Sequence, residues 1–145
     1  MTAPFFLVDP AALASTVGSV VVIDGAEGRH AATVRRLEAG EVVRVGDGCG
    51  RVVEGPVLAV VGKDRVDVEV ASYAETPPPS PRVVVVQALA KGDRSDLAVE
   101  LATEVGADVV VPWAASRSVA VWRGDKADRG VEKWRATARE AAKQS

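Results

Sequence analysis

The residues of this sequence that could do chemistry are mainly basic, and they occur in short clusters. Six of them are candidates to contact phosphate groups: His30, Arg35, Arg36, Lys91, Arg94 and Arg117. A guanidinium group donates paired hydrogen bonds to phosphate oxygens, whereas a lysine ammonium acts as a point charge. Because the net charge of the chain is only −2, a contact with RNA must come from such clusters rather than from the global field of the protein.

The cluster around residue 35 has two interpretations. In the first, Arg35 and Arg36 lie on one short helix near His30 and contact the RNA backbone. In the second, the two arginines line a solvated helix face beside Glu27 and Glu38. His30 can likewise bind a base or a phosphate, or be a partly buried structural residue. The residue types alone leave these alternatives open.

The run Lys91-Gly92-Asp93-Arg94 lies between a predicted buried strand and a predicted helix. Ligand-binding loops of α/β folds occupy such positions, so Lys91 and Arg94 are candidates for RNA contact. The single glycine does not make a phosphate-loop motif, and Asp93 is predicted to be the N-cap of the helix. Arg117 follows a second strand, where substrate contact and a surface salt bridge are the alternatives.

Other residue types do not define a site. Cys49 and His30 are the only cysteine and histidine, so an internal disulfide is excluded and neither a zinc site nor another metal site is expected. Cys49 has no activating neighbour pattern. Glu104 could be a catalytic base, but a structural bond to a loop explains it better, so no catalytic residue is assigned. The tryptophans are predicted to lie in a core or a dimer interface rather than to stack on bases: Trp113, Trp122 and Trp134.

The first half of the chain shows short Val-rich runs bounded by Gly and Asp, which indicate strands. We predict strands at residues 5–8, 20–23, 41–45, 51–54, 57–61 and 65–70. A helix is predicted at 27–37, because Ala31, Val34 and Leu37 recur at three-residue steps, with Gly40 as its C-cap. About six short strands with tight turns predict a small β-barrel or sandwich over residues 1–74.

The second half changes to an α/β pattern after a proline-rich linker at residues 75–81. Within residues 82–145 we predict a strand at 83–86, a helix at 93–105, a strand at 108–111, a third strand at 119–122 and a final helix at 130–144. The strand–helix–strand order predicts a parallel crossover. The first helix carries an apolar stripe of Leu97, Leu101 and Val105.

The predicted sheet of the second half is too small to have both faces covered by its own helices. The last helix also runs to Ser145 without a Gly or Pro stop. We therefore expect the natural chain to continue, with a covering partner as the alternative. The sequence has neither a signal-peptide pattern nor an apolar run of membrane-spanning length, so a cytoplasmic protein without membrane contact is expected.

Two groups of motifs in this sequence resemble those of a known family. The first group comprises residues 29–37, Gly40 and Asp47-Gly48, and is similar to His-His-Leu-x-x-Val-Leu-Arg-Leu, Gly and Asp-Gly. The second comprises Lys91-Gly92-Asp93-Arg94, residues 102–106, Pro112 and Ser116-Arg117-Ser118, and is similar to Lys-Gly-Asp-Arg, Ala-Thr-Glu-Leu-Gly, Pro and Ser-Glu-Arg-Ser. Trp134 and residues 140–145 extend the match. The chain thereby resembles the ribosomal RNA small subunit methyltransferase E family, with Arg29, Ala31, Ala115 and Pro4 as departures from its pattern.

The resemblance implies a PUA-like β-barrel followed by the first part of a SPOUT domain, an α/β fold whose C-terminal trefoil knot binds S-adenosylmethionine. No residue here matches the knot, so the cofactor pocket is expected beyond Ser145 and the chain alone is expected to be inactive. The implied activity is methylation of uridine N3 in 16S rRNA of the small ribosomal subunit, by a homodimer. Two alternatives remain open: a stand-alone RNA-binding module without catalysis, and a non-catalytic interaction domain.

Overall fold

The computed structural model describes residues 3–144. Residues 1, 2 and 145 lie outside the described part, and with them Ser145, the end of the last matched motif. The chain divides into two compact units between Pro78 and Pro79.

The first unit is built mainly of strands. Its elements are β1 Phe5–Leu7, β2 Val20–Ile23, α1 Gly25–Arg29, a π-helix His30–Val34, β3 Val42–Gly46, β4 Arg51–Val61, β5 Arg65–Glu69 and β6 Ser72–Glu75. The strands form a six-stranded sheet in the order β1-β3-β4-β5-β2, with β6 paired to β4. β1 and β3 are parallel, and the other pairs are antiparallel.

The long strand β4 links the two halves of this sheet. Two separate strands at 51–54 and 57–61 were expected, and this prediction is wrong because β4 is continuous over 11 residues. Gly55 lets the β5 backbone come close, since a Cβ there would lie 1.8 Å from the carbonyl oxygen of Glu69. A register shift between Val57 and Ala59 marks a bulge, which bends a strand. The first part of β4 therefore pairs with β3 and β6, and the last part pairs with β5.

The core of the first unit forms because strand residues alternate between the two faces of the sheet. The predicted alternation in β5 is confirmed, since Val66 and Val68 are fully buried between more exposed polar residues. The buried cluster contains Phe6, Val8, Leu13, Val21, Ile23, Ala31, Leu37, Val43, Val45, Val53, Val57, Val66, Val68 and Val70. Burial of this much apolar surface is the main contribution to the stability of the unit.

The turn between β3 and β4 is organised by a buried carboxylate. The Asp47 side chain accepts hydrogen bonds from the amide of Cys49 at 2.7 Å, the amide of Arg51 at 3.1 Å and Nε of Arg51 at 2.6 Å. Burial raises the pKa of Asp47, but the hydrogen bonds from Cys49 and Arg51 outweigh that effect and hold it below its ordinary value. Arg51 also donates to the carbonyl oxygen of Pro10 at 2.9 Å, so the turn is fixed to the segment after β1.

The second unit contains β7 Val84–Ala88, α2 Arg94–Glu104, β8 Val109–Trp113 and α3 Asp125–Ala141. β7 and β8 pair in parallel, which confirms the predicted strand–helix–strand arrangement. The third strand predicted at 119–122 is wrong, because the described backbone there is irregular. Ala120 and Trp122 instead pack against the buried cluster of this unit. The final helix begins at Asp125 rather than at residue 130.

The buried cluster of the second unit consists of Leu89, Val99 and Trp134. The predicted apolar stripe of α2 is not buried within this unit, since Leu97, Leu101 and Val105 are 50%, 51% and 84% exposed. α2 packs against α3 through the side that carries Ser95 and Val99, and the stripe therefore faces away from this core. Trp134 lies in the core as predicted, whereas Trp113 is 54% exposed.

Among residues 3–144, no helix is both long enough and apolar enough to span a membrane.

Candidate nucleic-acid interface

The candidate residues of the first unit lie where its helical segment ends. α1 begins at Gly25 and passes into the π-helix His30–Val34, so the helix predicted at 27–37 begins earlier and stops three residues sooner. The amide of Arg35 donates to the carbonyl oxygen of His30 at 2.8 Å, and the amide of Leu37 donates to that of Ala31 at 3.1 Å. π-helical turns occur frequently at functional sites.

Arg36 ends this helical segment in a left-handed conformation, with φ of 53°. The turn directs Leu37 into the core, where it is 6% exposed. Arg36 therefore ends the helical segment in place of Gly40, the predicted C-cap, which lies in the later turn before β3. A side chain other than glycine costs about 1 kcal/mol in this conformation. Residues held in such conformations cluster at functional sites, which keeps Arg36 a candidate.

His30, Arg35 and Arg36 are all exposed to solvent. The interpretation of His30 as a partly buried structural residue is therefore wrong. Its ring contacts Phe6 on one side, with the ring centroids 6.2 Å apart, and the rest of the imidazole is accessible to a ligand. The first unit thus brings the three predicted residues together within one seven-residue segment.

Two substitutions of Arg36 distinguish the effect of its backbone strain on stability from the effect of its side chain on RNA binding. Arg36→Gly is expected to exceed Arg36→Ala in free energy of unfolding by about 0.5–1 kcal/mol, because glycine adopts the left-handed conformation readily. Both variants are expected to weaken binding to small-subunit rRNA by about three- to tenfold and to lower the salt slope by about one unit. Chemical denaturation and fluorescence anisotropy measure the two quantities. Equal RNA affinity of the wild type and both variants would remove Arg36 from the interface.

The candidate residues of the second unit lie at one edge of its sheet. Lys91 and Arg94 follow β7, and Arg117 follows β8. Because β7 and β8 are parallel, their carboxyl ends lie at the same edge, and the amide of Leu89 donates to the carbonyl oxygen of Trp113 there at 3.0 Å. The three cations are exposed. This edge is where open α/β sheets bind ligands.

Asp93 does not cap α2 in the predicted way. It occupies the N-cap position, but its φ and ψ of −66° and −15° are helical, and its side chain makes no capping hydrogen bond. An N-cap side chain reaches the next amides from an extended backbone, so the helical backbone of Asp93 prevents the contact. The preceding Gly92 takes a φ of 62°, and its carbonyl oxygen accepts a hydrogen bond from the amide of Ser95 at 3.2 Å.

The candidate residues differ from several other basic residues in whether a carboxylate of the protein pairs with them. Several basic side chains form ion pairs with nearby carboxylates, among them Arg51, Arg65, Lys133, Arg135 and Lys143. Among the described residues, none of the candidates forms an ion pair or a side-chain hydrogen bond: His30, Arg35, Arg36, Lys91, Arg94 and Arg117. The alternative of a surface salt bridge is therefore not realised for Arg117 within the described chain. These charges remain available to an external polyanion such as RNA.

A groove between α2 and α3 is large enough to hold a small molecule. It has a volume of about 510 Å³ and is lined by Glu100, Glu104, Ala136, Thr137, Glu140, Ala141 and Gln144. None of these lining residues is basic to pair with the carboxylate of S-adenosylmethionine, and none is aromatic to stack on its adenine. The groove does not suit this cofactor. The bond from Glu104 to a loop, which was expected, is absent from the described residues.

The contacts that hold the start of α2 were missed by sequence reasoning. Trp134 and Lys133 on α3 contact Ser95 and Asp96 on α2. Trp134 was predicted only as a core or interface residue, and no local signal links residues 39 positions apart.

Metal binding has no support in the structure either: within residues 3–144, no group of three or more His, Cys, Asp or Glu side chains could hold an ion.

Two protein-family profiles match this chain. The profile described as RNA methyltransferase PUA domain matches residues 23–71, and the profile described as RNA methyltransferase domain matches residues 77–145. The matched ranges fall on the two units of the structure. The chain therefore consists of a PUA-like domain followed by the start of a SPOUT-like α/β methyltransferase fold.

Curated relatives carry the name ribosomal RNA small subunit methyltransferase E. The one from Mycobacterium tuberculosis (strain CDC 1551 / Oshkosh) is 48% identical over 145 residues, which are 100% of this chain and 54% of the relative. The one from Bacillus subtilis (strain 168) is 32% identical over 126 residues, 85% of this chain and 48% of the relative. The chain thus spans about half the length of the curated relatives it matches.

Solved structures show the same fold. A Legionella pneumophila protein in complex with the cofactor SAM matches with a TM-score of 0.84 and 21% identity, over 99% of this chain and 58% of that one. A ribosomal RNA small subunit methyltransferase E from Neisseria gonorrhoeae bound to S-adenosyl methionine matches with a TM-score of 0.81 and 21% identity, over 99% of this chain and 56% of that one.

Proposed function

The chain belongs to the ribosomal RNA small subunit methyltransferase E family, and on that premise we propose that it acts in the S-adenosylmethionine-dependent methylation of ribosomal RNA. The observation that carries the proposal is the set of unpaired, exposed cations on a chain with a PUA-like and a methyltransferase unit. Structures of the same fold contain the cofactor. RNA supplies the phosphate groups that such cations bind.

At a finer level we propose that the target is N3 of a uridine in 16S rRNA. The resemblance of the two motif groups supports this assignment. Attack by N3 on a methyl group requires that the nitrogen lose its proton and lie in line with that methyl, so catalysis depends largely on how the RNA is positioned. In the first unit, His30, Arg35 and Arg36 bind the RNA. In the second unit, Lys91, Arg94 and Arg117 bind it.

S-adenosylmethionine supplies the methyl group in this proposal. The groove between α2 and α3 does not suit it, and the described residues therefore give no step in methyl transfer. We place the cofactor in the part of the longer relatives that this chain does not match, so that the 145-residue chain alone neither binds the cofactor appreciably nor methylates RNA. A homodimer remains a prediction of the resemblance, and a cytoplasmic location remains a prediction of the sequence pattern.

A stand-alone RNA-binding module is the second candidate function. It is favoured by the same unpaired cations together with the unsuitable groove. The two candidates make different predictions for the cell. A methyltransferase converts a uridine of 16S rRNA to 3-methyluridine, whereas a binding module leaves the nucleosides unchanged.

The test is nucleoside mass spectrometry of 16S rRNA from a strain that lacks the gene encoding this protein. We expect 3-methyluridine to disappear, to return when the full-length gene is restored, and not to return when the 145-residue chain alone is expressed. The methyl group replaces the N3 proton needed for Watson–Crick pairing, so a primer-extension stop at one uridine should vanish in parallel. Persistence of 3-methyluridine in the deleted strain would contradict the proposed substrate atom, and an unchanged set of methylated nucleosides would favour the binding module.

A further inference from the structure

Two neighbouring residues of α3 contact two neighbouring residues at the start of α2. Nε1 of Trp134 donates a hydrogen bond to Oγ of Ser95 at 3.2 Å. Nζ of Lys133 lies 2.6 Å from Oδ2 of Asp96. We call these four residues, Ser95, Asp96, Lys133 and Trp134, the clasp. Their contacts join two segments that are far apart in the sequence, at the first turn of α2.

The hydrogen bond of the clasp is buried. Trp134 is 5% exposed and Ser95 is 8% exposed, and a buried polar group that loses its partner is strongly disfavoured. The indole ring is also fixed by an edge contact with Trp122, with centroids 5.2 Å apart. Gly130 of α3 leaves room for the ring of Trp122, since a Cβ at residue 130 would lie 2.6 Å from that ring. The position of Ser95 is thus set by several contacts at once.

The ion pair reinforces the same attachment at the surface. The hydrogen bond to Asp96 raises the pKa of Lys133, so the lysine stays charged at neutral pH. Its side chain is largely exposed, and the pair by itself stabilises the contact only slightly. The buried bond from Trp134 to Ser95 is therefore the main part of the clasp.

The clasp lies directly after two of the candidate cations, Lys91 in the loop before α2 and Arg94 at the first residue of α2. The amide of Ser95 donates to the carbonyl oxygen of Gly92, so Ser95 is hydrogen-bonded both to the loop and to α3. Gly92 has a left-handed backbone, and the loop residues are exposed. This one serine therefore fixes the C-terminal end of a glycine-containing segment that bears two unpaired cations, Lys91 and Arg94.

We propose that the clasp positions Lys91 and Arg94 for RNA, with Trp134 and Ser95 as positioning residues that do not touch the ligand. The inference rests on the proposed RNA-binding function and deepens it. Fixing the loop in advance lowers the entropy lost when the two cations engage phosphates. Loss of the buried bond lets the loop move and weakens the contacts without removing either charge.

The test compares Trp134→Phe with Trp122→Phe in the 145-residue chain. Both substitutions replace an indole by a phenyl ring in the same cluster, but only the first removes the donor to Ser95. We expect Trp134→Phe to weaken binding to a 16S rRNA segment by about three- to tenfold, and Trp122→Phe to change it by less than about twofold. Ser95→Ala should act like Trp134→Phe, whereas Ser95→Thr keeps the hydroxyl and should keep the affinity.

A double-mutant cycle separates positioning from a general loss of stability. In the Lys91→Ala/Arg94→Ala background, Trp134→Phe is expected to weaken RNA binding by less than about twofold, since the charges it positions are gone. The same fold-loss in both backgrounds, or no loss in the wild-type background, would overturn the inference. If Lys91→Ala/Arg94→Ala binds RNA as the wild type does, the proposed RNA contact itself fails and the role of the clasp fails with it, a result distinct from the other two.

Discussion

Replacing Lys91, Arg94 and Arg117 together by alanine is expected to weaken binding of the chain to 16S rRNA by roughly 30- to 100-fold at low salt. The three side chains are exposed at one edge of a parallel sheet, Lys91 in the loop after β7, Arg94 at the start of α2 and Arg117 in the loop after β8. Because no described carboxylate pairs with them, they would engage phosphates without first breaking an ion pair. The slope of log K against log salt concentration should fall by about 2 to 3 units.

The matched control is Lys126→Ala, Arg129→Ala and Arg135→Ala, which removes the same amount of charge from exposed positions of α3. A long-range field acts on both triple variants alike, so the control is expected to lose only about threefold in affinity at low salt. Fluorescence anisotropy with a labelled 16S rRNA segment measures both. Equal losses would mean that net charge, and not this edge of the sheet, determines binding.

Asp47→Ala is expected to lower the free energy of unfolding by about 2–4 kcal/mol. The substitution leaves the amide of Cys49 and the guanidinium of Arg51 without the buried carboxylate that holds the β3–β4 turn. It also frees Arg51 from the position in which it donates to Pro10. Asp47→Asn keeps one acceptor oxygen but loses the charge, and should fall between the wild type and the alanine variant. Urea denaturation checks the order of the three proteins.

The same carboxylate predicts a pH dependence of stability. Asp47 has a pKa below its ordinary value of 3.8 in the folded protein, so its stabilising contribution is fully present well above pH 3.8. That contribution is lost as the pH falls from there through the folded-state pKa. The wild type should therefore lose more stability than Asp47→Asn between about pH 5 and pH 2. Parallel pH profiles of the two proteins would contradict the assigned role of Asp47.

The first unit could be predicted from sequence to the extent that its signals are local. Alternating valines in residues 65–70 predict β5, because a strand places every second side chain on one face. The continuity of β4 through Gly55 and Pro56 was missed, since these residues usually interrupt strands. It depends on the close approach of Glu69 and on a bulge, which are tertiary features.

The helix that carries the candidate arginines shows a second limit. The spacing of Ala31, Val34 and Leu37 predicts a regular helix with a glycine at its end. The actual end at Arg36 is set by the burial of Leu37, and a left-handed arginine has no sequence signature. His30, by contrast, could be named as a candidate from the motif alone, and it is exposed at the first residue of the π-helix.

In the second unit, sequence predicts which segments are helices better than which faces are covered. The stripe of Leu97, Leu101 and Val105 correctly predicts a helix, yet α3 packs on the other side, through Val99. The Trp134–Ser95 bond joins residues 39 positions apart, and spacing cannot reveal such a pair. The position of the Lys91–Arg94 loop between strand and helix is local information, and sequence predicts it well.

The most direct test of the central claim, that this chain contacts ribosomal RNA through unpaired cations, is its affinity for 16S rRNA over a salt series. Five cationic side chains that neutralise phosphates predict a straight line of log K against log salt concentration with a slope of about −3.5. The expected dissociation constant lies in the micromolar range or below at about 50 mM salt. Absence of binding at that salt concentration, or a slope near zero, would contradict the account.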